Sequence, residues 1–350
     1  MAQFHTHIVS EIIENHPDVT KIRLEDGSRA YAFSHITGDV HIGDKVVVNT
    51  TAVDLNLGTG GWHFVLWNLV HDDVDTPRGG HIMKARYTPV QLDTGVREEF
   101  EDYPTSSDLE GMPVIVAPLH SHIPAIASYL KSYNPDLTIA VAISDGAALP
   151  VALSDLLRTL KSAELINNTI SFGHSFGGDI EAINVYTALI SSKHLAHADV
   201  TIVTMGPGIV GTNTQFGFTG IEVAHHLDAA HVLNAQTYGV LRCSEADPRD
   251  RHRGVSHHAI TTYSRATHNS HRLAHVADHS LSSQMEEQLA SSGITTRHDV
   301  SYVDQVGVVG MMEQFGLSIS SMGRTAREDE LFFEAACAPA QRVVKDSLHG

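Results

Sequence analysis

Two hydrophobic rhythms divide the chain. Through the first hundred residues, apolar positions come in short runs rich in β-branched and aromatic side chains, each closed by turn residues. Residues 8–13 and 19–24 are such runs. Glu25-Asp26-Gly27 after the second is a hairpin-type turn, because Asp-Gly accepts the positive φ that such turns need. Residues 30–33 follow, then Gly38, then Ile42-Gly43-Asp44-Lys45 leading into Val46-Val47-Val48. Gly58-Thr59-Gly60-Gly61 runs into the aromatic strand Trp62-His63-Phe64-Val65. The pattern predicts a small β-barrel-like N-terminal module over 1–103, with 104–111, opened by Pro104-Thr105-Ser106-Ser107-Asp108, as a linker.

From Met112 the rhythm changes to strands alternating with helices. Residues 113–117 form a buried-type strand, and 123–133 a helix stopped by Asn134-Pro135. A strand over 137–143 precedes a helix over 154–165 with Ser154 as its N-cap. A third strand at 169–172 leads to a helix over 180–191 capped by Asp179. A fourth strand covers 200–204, Thr219-Gly220-Ile221-Glu222 opens the next helix as a capping box, and 238–243 is a fifth strand. Later signals are weaker: 281–291 reads as helix, 299–309 as partly extended, and 328–344 as a closing helix. This alternation predicts an α/β domain over 112–350, an open, mostly parallel sheet with helices on both faces.

Composition narrows the partners. Among 350 residues, 42% are hydrophobic and 18% charged, enough apolar surface for a sizeable core. No apolar run approaches a membrane span, and Met1-Ala2-Gln3-Phe4-His5 has no secretory signature. Cys243 and Cys337 offer neither a disulfide framework nor a CxxC, so a cytoplasmic, reducing compartment is expected. The net charge of -18 opposes nucleic acid and anionic membranes as partners. It also makes any local basic cluster stand out.

Ligands of open parallel sheets bind beyond the C-terminal strand ends, so the residues there are the candidate site. Gly173-His174-Ser175-Phe176-Gly177 matches the G-x-S-x-G nucleophile elbow. It would make Ser175 a nucleophile with His257 as base and Asp247 as orienting acid. The alternative is a glycine-rich turn with an incidental serine. Gly206, Gly208, Gly211 and Thr212 lie in a second glycine-rich turn whose amides could meet an anion. It has neither the lysine of a phosphate-binding P-loop nor dinucleotide spacing, and could equally be a tight connector.

Arg249, Arg251 and Arg253 alternate around His252, with Arg242 and Arg265 flanking. Guanidinium forks suit phosphate or carboxylate, although a solvated loop paired with Asp247 and Asp250 would read similarly. Asp145 and His174 follow two other strands and complete the ligand-binding set. No metal is assigned, since HExxH-like spacing is absent and adjacent histidines usually point apart. Were one bound, His252, His257 and His258 would hold it, with His268, His271, Asp145, Asp179 or Asp247 as further donors. No cofactor is assigned.

Several motifs together resemble one family. They are Gly58-Thr59-Gly60-Gly61 with His63-Phe64-Val65, Asp145-Gly146-Ala147-Ala148-Leu149-Pro150, Gly173-His174 with Phe176-Gly177-Gly178-Asp179, Met205-Gly206-Pro207-Gly208-Ile209-Val210-Gly211-Thr212, Arg251-His252-Arg253-Gly254-Val255-Ser256-His257-His258 and Met322-Gly323-Arg324. Nearly the whole chain resembles an uncharacterised bacterial family, actinobacterial and Gram-positive, carried as a domain of unknown function. The resemblance implies one architecture spanning both modules and no particular activity. The leading expectation is therefore an enzyme or binding protein for a small anionic molecule at the sheet's C-terminal edge. A serine hydrolase using Ser175 and a non-catalytic homo-oligomeric interaction protein are the alternatives.

Overall fold

The computed structural model describes residues 2–57, 60–75 and 79–347, and Gly58 and Thr59 of the first glycine turn lie outside them. The chain forms two compact units, Met1–Glu99 and Phe100–Gly350. In the first, β1 (Phe4–Asn15), β2 (Val19–Leu24), β3 (Arg29–Phe33), β4 (Lys45–Asn49) and β5 (Trp62–Asn68) close into a barrel in the order β1-β2-β3-β5-β4. Val46 and Val48 point inward and Val47 does not, the period-two alternation of a half-buried strand. Val9, Ile22, Leu24, Ala30, Ala32, Val40 and Val65 join them in the interior. Gly27 takes φ 85°, as the Asp-Gly turn requires.

The second unit is built on eight parallel strands. They are β6 (Pro113–Val116), β7 (Ile139–Ser144), β8 (Asn168–Ser171), β9 (Ile180–Glu181), β10 (Val200–Met205), β11 (Gln236–Gly239), β12 (Arg272–Val276) and β13 (Asp299–Val303). Their order is β9-β8-β7-β10-β6-β11-β12-β13. Strands β7 and β10 are buried at every position, because helices cover both faces. Alternate residues feed opposite cores: Val114 and Val116 enter one, Ile115 and Ala117 the other. The helices α1 (Ile123–Tyr133) and α2 (Asp155–Ser162) pack into the second core. The helices α3 (Val185–His194), α4 (Glu222–Val232) and α5 (Ser282–Ser291) pack into the first. The closing helix α6 (Glu330–Ser347) contributes to both. No helix among the described residues is long and apolar enough to cross a membrane.

Most sequence-derived elements are present, and Ser154 caps α2 by accepting from the Leu157 amide. Three differ. Residues 180 and 181 form the edge strand β9, and α3 starts only at Val185 under an Asn184 cap. Asp179 cannot cap it, because its carboxylate already takes the Thr169 amide at 2.8 Å and the Lys161 ammonium. Glu222 forms no capping box with Thr219: its carboxylate turns away and accepts from Ser144. The fifth strand ends at Gly239, since Cys243–Ser244 instead pairs antiparallel with Gly254–Val255. That two-stranded ribbon ties off the arginine-rich loop at its base.

Candidate functional site: an arginine and histidine basin

Strands β10, β6 and β11 are neighbours in the sheet, so the segments that follow them share one edge. The segment after β11 brings in Arg242 and, through the ribbon, residues 245–253. Asp247 is its hub. Arg249 clamps this carboxylate through Nε at 2.9 Å and Nη2 at 2.8 Å, and its own amide donates to the same group. Arg242 Nη2 lies 3.6 Å and Arg324 Nη2 3.7 Å from Asp247. Arg324 is held in turn by Asp329, whose other oxygen accepts the Glu245 amide at 3.0 Å. Hydrogen bonds from Arg249 hold the Asp247 carboxyl well below its usual range, against the opposing effect of burial. Burial lowers Arg242 to about 10, against the attraction of Asp247, so it keeps its charge at neutral pH.

Beside the guanidinium groups stand three imidazoles. His252, His257 and His258 present nitrogens that all lie within 4.8 Å of one another. The adjacent pair does not diverge: the rings of His257 and His258 are 4.2 Å apart. Burial and then Arg242 push His252 down to about 3; burial and then His257 push His258 down to about 4. Burial and then Arg251 also lower His257. All three are therefore neutral near pH 7.

The glycine turn after β10 meets this segment directly. Arg251 Nη1 donates to Asn213 Oδ1, and the His258 ring stacks on Phe218. Gly211 matters for this closeness, since a Cβ there would stand 3.1 Å from His258 Cε1. Gly206 serves another approach: a Cβ would come within 2.5 Å of the Ala148 carbonyl. Gly208 takes φ 111°. The amides of Val210 and Thr212 are spent inside the turn, on Thr219 Oγ1 and the Gly217 carbonyl. The turn thus shapes the basin wall more than it offers donors.

The model of DUF3866, a protein of unknown function, matches residues 29–340. The chain belongs to that family. No curated protein matches it. The matched stretch of this DUF3866 chain contains every candidate residue named above.

The structure separates the candidate residues of the DUF3866 chain into groups. Arg249, Arg251, His252, His257, His258 and Asp247 come together, whereas the Arg253 guanidinium donates to the Glu245 carbonyl at 2.9 Å. Ser175, His257 and Asp247 do not form a triad among the described contacts. Ser175 is buried with its hydroxyl donating to the Leu149 carbonyl at 2.9 Å, and its turn leads into β9 where a nucleophile elbow needs a helix. Asp247 is committed to arginines. His268 and His271 precede β12 and bind Asp228 at the opposite end of the sheet, so they are not donors for the basin.

Asp145 and His174 belong to a second group at the ends of β7 and β8. The His174 amide donates to Asp145 at 2.8 Å, and Gly173 at φ 68° leaves room that a Cβ would take from that carboxylate. Here the structure adds Glu222, which the sequence reading used only as a helix signal. Burial raises Glu222 to about 7; the Ser144 hydrogen bond opposes this and Asp145 adds to it. A carboxyl that exchanges its proton near neutrality suits proton transfer. Its sequence signal was slight, one glutamate at a helix start. Arg324 was visible only as part of Met322-Gly323-Arg324.

Proposed function

We propose that this chain binds a small molecule bearing phosphate or carboxylate, held over the guanidinium groups beyond β10, β6 and β11. One observation carries the reading. Arg242 is 4% exposed, yet its Nε is buried without a hydrogen-bond partner among the described residues, as is Nη2 of Arg324. A buried donor left unmatched costs about 1–3 kcal/mol, more when charged, and an anionic ligand would recover that cost. Arg242, Arg249 and Arg324 also have two carboxylates, Asp247 and Asp329, among the three of them. The neighbourhood therefore stays cationic inside a chain of net charge -18, and such a field draws anions.

Thermal unfolding tests the reading. Phosphate, pyrophosphate or citrate should raise the melting temperature with concentration, as binding to the folded state requires. In R242Q and R251Q, the concentration needed should rise at least tenfold. No stabilisation by any phosphorylated or carboxylated compound, or a response in both variants equal to that of the parent, would reject it.

A further inference from the structure

We propose that His252, His257 and His258 form a binding site for one divalent transition-metal ion of the zinc class. Three features of the chain converge on this. Nitrogens of all three rings lie within 4.8 Å of one another. Nε2 of His257 and both ring nitrogens of His258 are buried and have no hydrogen-bond partner among the described residues. Unmatched imidazole nitrogens are costly, and an ion taking one nitrogen from each ring would match that of His257 and one of the two on His258.

The third feature is how His252 is held. Its Nδ1 lies 2.7 Å from the Ser256 hydroxyl, which also caps the short helix His257–Thr261 by accepting from the His258 amide. The Arg251 Nε–H points at His252 Nε2 at 3.5 Å. Together these contacts set the tautomer: Nδ1–H donates to Ser256, and Nε2 carries the lone pair, engaged by the Arg251 N–H that an ion would have to displace. A metal-binding histidine is typically oriented in this way by a partner on its other nitrogen. The same serine fixes the helix start that carries the other two imidazoles, so one hydroxyl organises the set. Ring nitrogens around a tetrahedral zinc ion stand roughly 3.4 Å apart. The cluster must therefore draw in from its present spacing, within 4.8 Å, as the ion binds.

Three neutral imidazoles leave the ion's charge undiminished and a fourth coordination position for an outside ligand. Arg242 and Arg251, which act on His257 and His258, would disfavour a bare cation and favour an ion carrying an anion. Metal and anion should therefore bind cooperatively, each strengthening the other by the same factor.

The test uses the untagged full chain, freed of metal by chelator and titrated with ZnCl2 in phosphate-free buffer by calorimetry. CoCl2 is titrated in parallel and followed by visible absorption. One equivalent of zinc and the intense d–d bands of a low-coordinate cobalt site are expected. The H257Q/H258Q variant should lose both, and so should H257Q alone, which leaves the His258–Phe218 stack in place and whose metal-free unfolding curve should stay close to that of the parent. Substoichiometric binding by the parent, or undiminished binding by a folded H257Q/H258Q chain, overturns the proposal. Because these titrations contain no phosphate, their failure would leave an Arg242-dependent anion response standing, and the two readings fail separately.

Discussion

The imidazole of His258 lies flat on the ring of Phe218, with centroids 4.0 Å apart and planes 7° apart. Phe218 belongs to the loop after β10 and His258 to the segment after β11. This stack, with the Arg251–Asn213 contact, is what joins two stretches distant in sequence. Phe218 is buried, so F218A removes a large apolar side chain and the support for His258 together. A loss of about 3 kcal/mol in unfolding free energy is expected from denaturant titration. An unchanged midpoint would mean that the two loops are held by other contacts.

Asp247 neutralises a cluster that would otherwise repel itself. D247N should cost about 3 kcal/mol near neutral pH, because it strands guanidinium groups that were paired. The folded-state pKa is depressed, so this contribution is present above the unfolded carboxyl value and fades as pH falls through the folded one. Unfolding curves of parent and variant should therefore draw together in strong acid and stand apart at pH 7.

Glu222 should show the opposite sign. Its folded pKa, about 7, lies above the ordinary glutamate value of 4.5, so the folded chain holds an extra proton between these limits and loses stability as pH rises through them. E222Q removes that dependence. The variant should match the parent below pH 4.5 and exceed it at pH 8, by at most about 3 kcal/mol. Stability measured across this range checks both the sign and the window.

Ser175 should not react as an activated nucleophile. Its hydroxyl is buried and donates to the Leu149 carbonyl. Fluorophosphonate probes should therefore give no labelling that depends on Ser175, and S175A should leave the anion response intact. Labelling of the parent that S175A abolishes would restore the hydrolase reading.

The sheet was legible because its strands are unusually pure: β7 and β10 are apolar or small throughout, and each is bounded by turn residues. Strand β12 was hidden for the converse reason. Arg-Leu-Ala-His-Val carries a buried histidine, His275, where the hydrophobic pattern needs an apolar residue. The charge anomaly at Arg249–Arg253 pointed to the basin, since three arginines in five positions oppose the average of the chain. What sequence spacing could not convey was orientation. Arg253 turns to a backbone carbonyl while Arg242, seven residues before Arg249, turns inward toward Asp247. The convergence of His257 with His258 is set by the orientation of their side chains at the start of a short helix capped by Ser256, which adjacency in sequence does not convey. Glu222 was misread for a similar reason, since a helix-start glutamate has the same letter whether it caps its own helix or reaches a neighbouring strand.

Cys243–Ser244 and Gly254–Val255 pair at the foot of the loop, which leaves and rejoins the body of the domain at a single point. Residues between them are also tied to the domain away from that foot, Glu245 through Asp329 and the Leu331 amide and Asp247 through Arg242 and Arg324. The ribbon thus fixes where residues 245–253 leave and rejoin the domain, while Arg242, His257, His258 and Arg324 reach the same cluster from outside that loop, so the cluster is stitched from several segments at once.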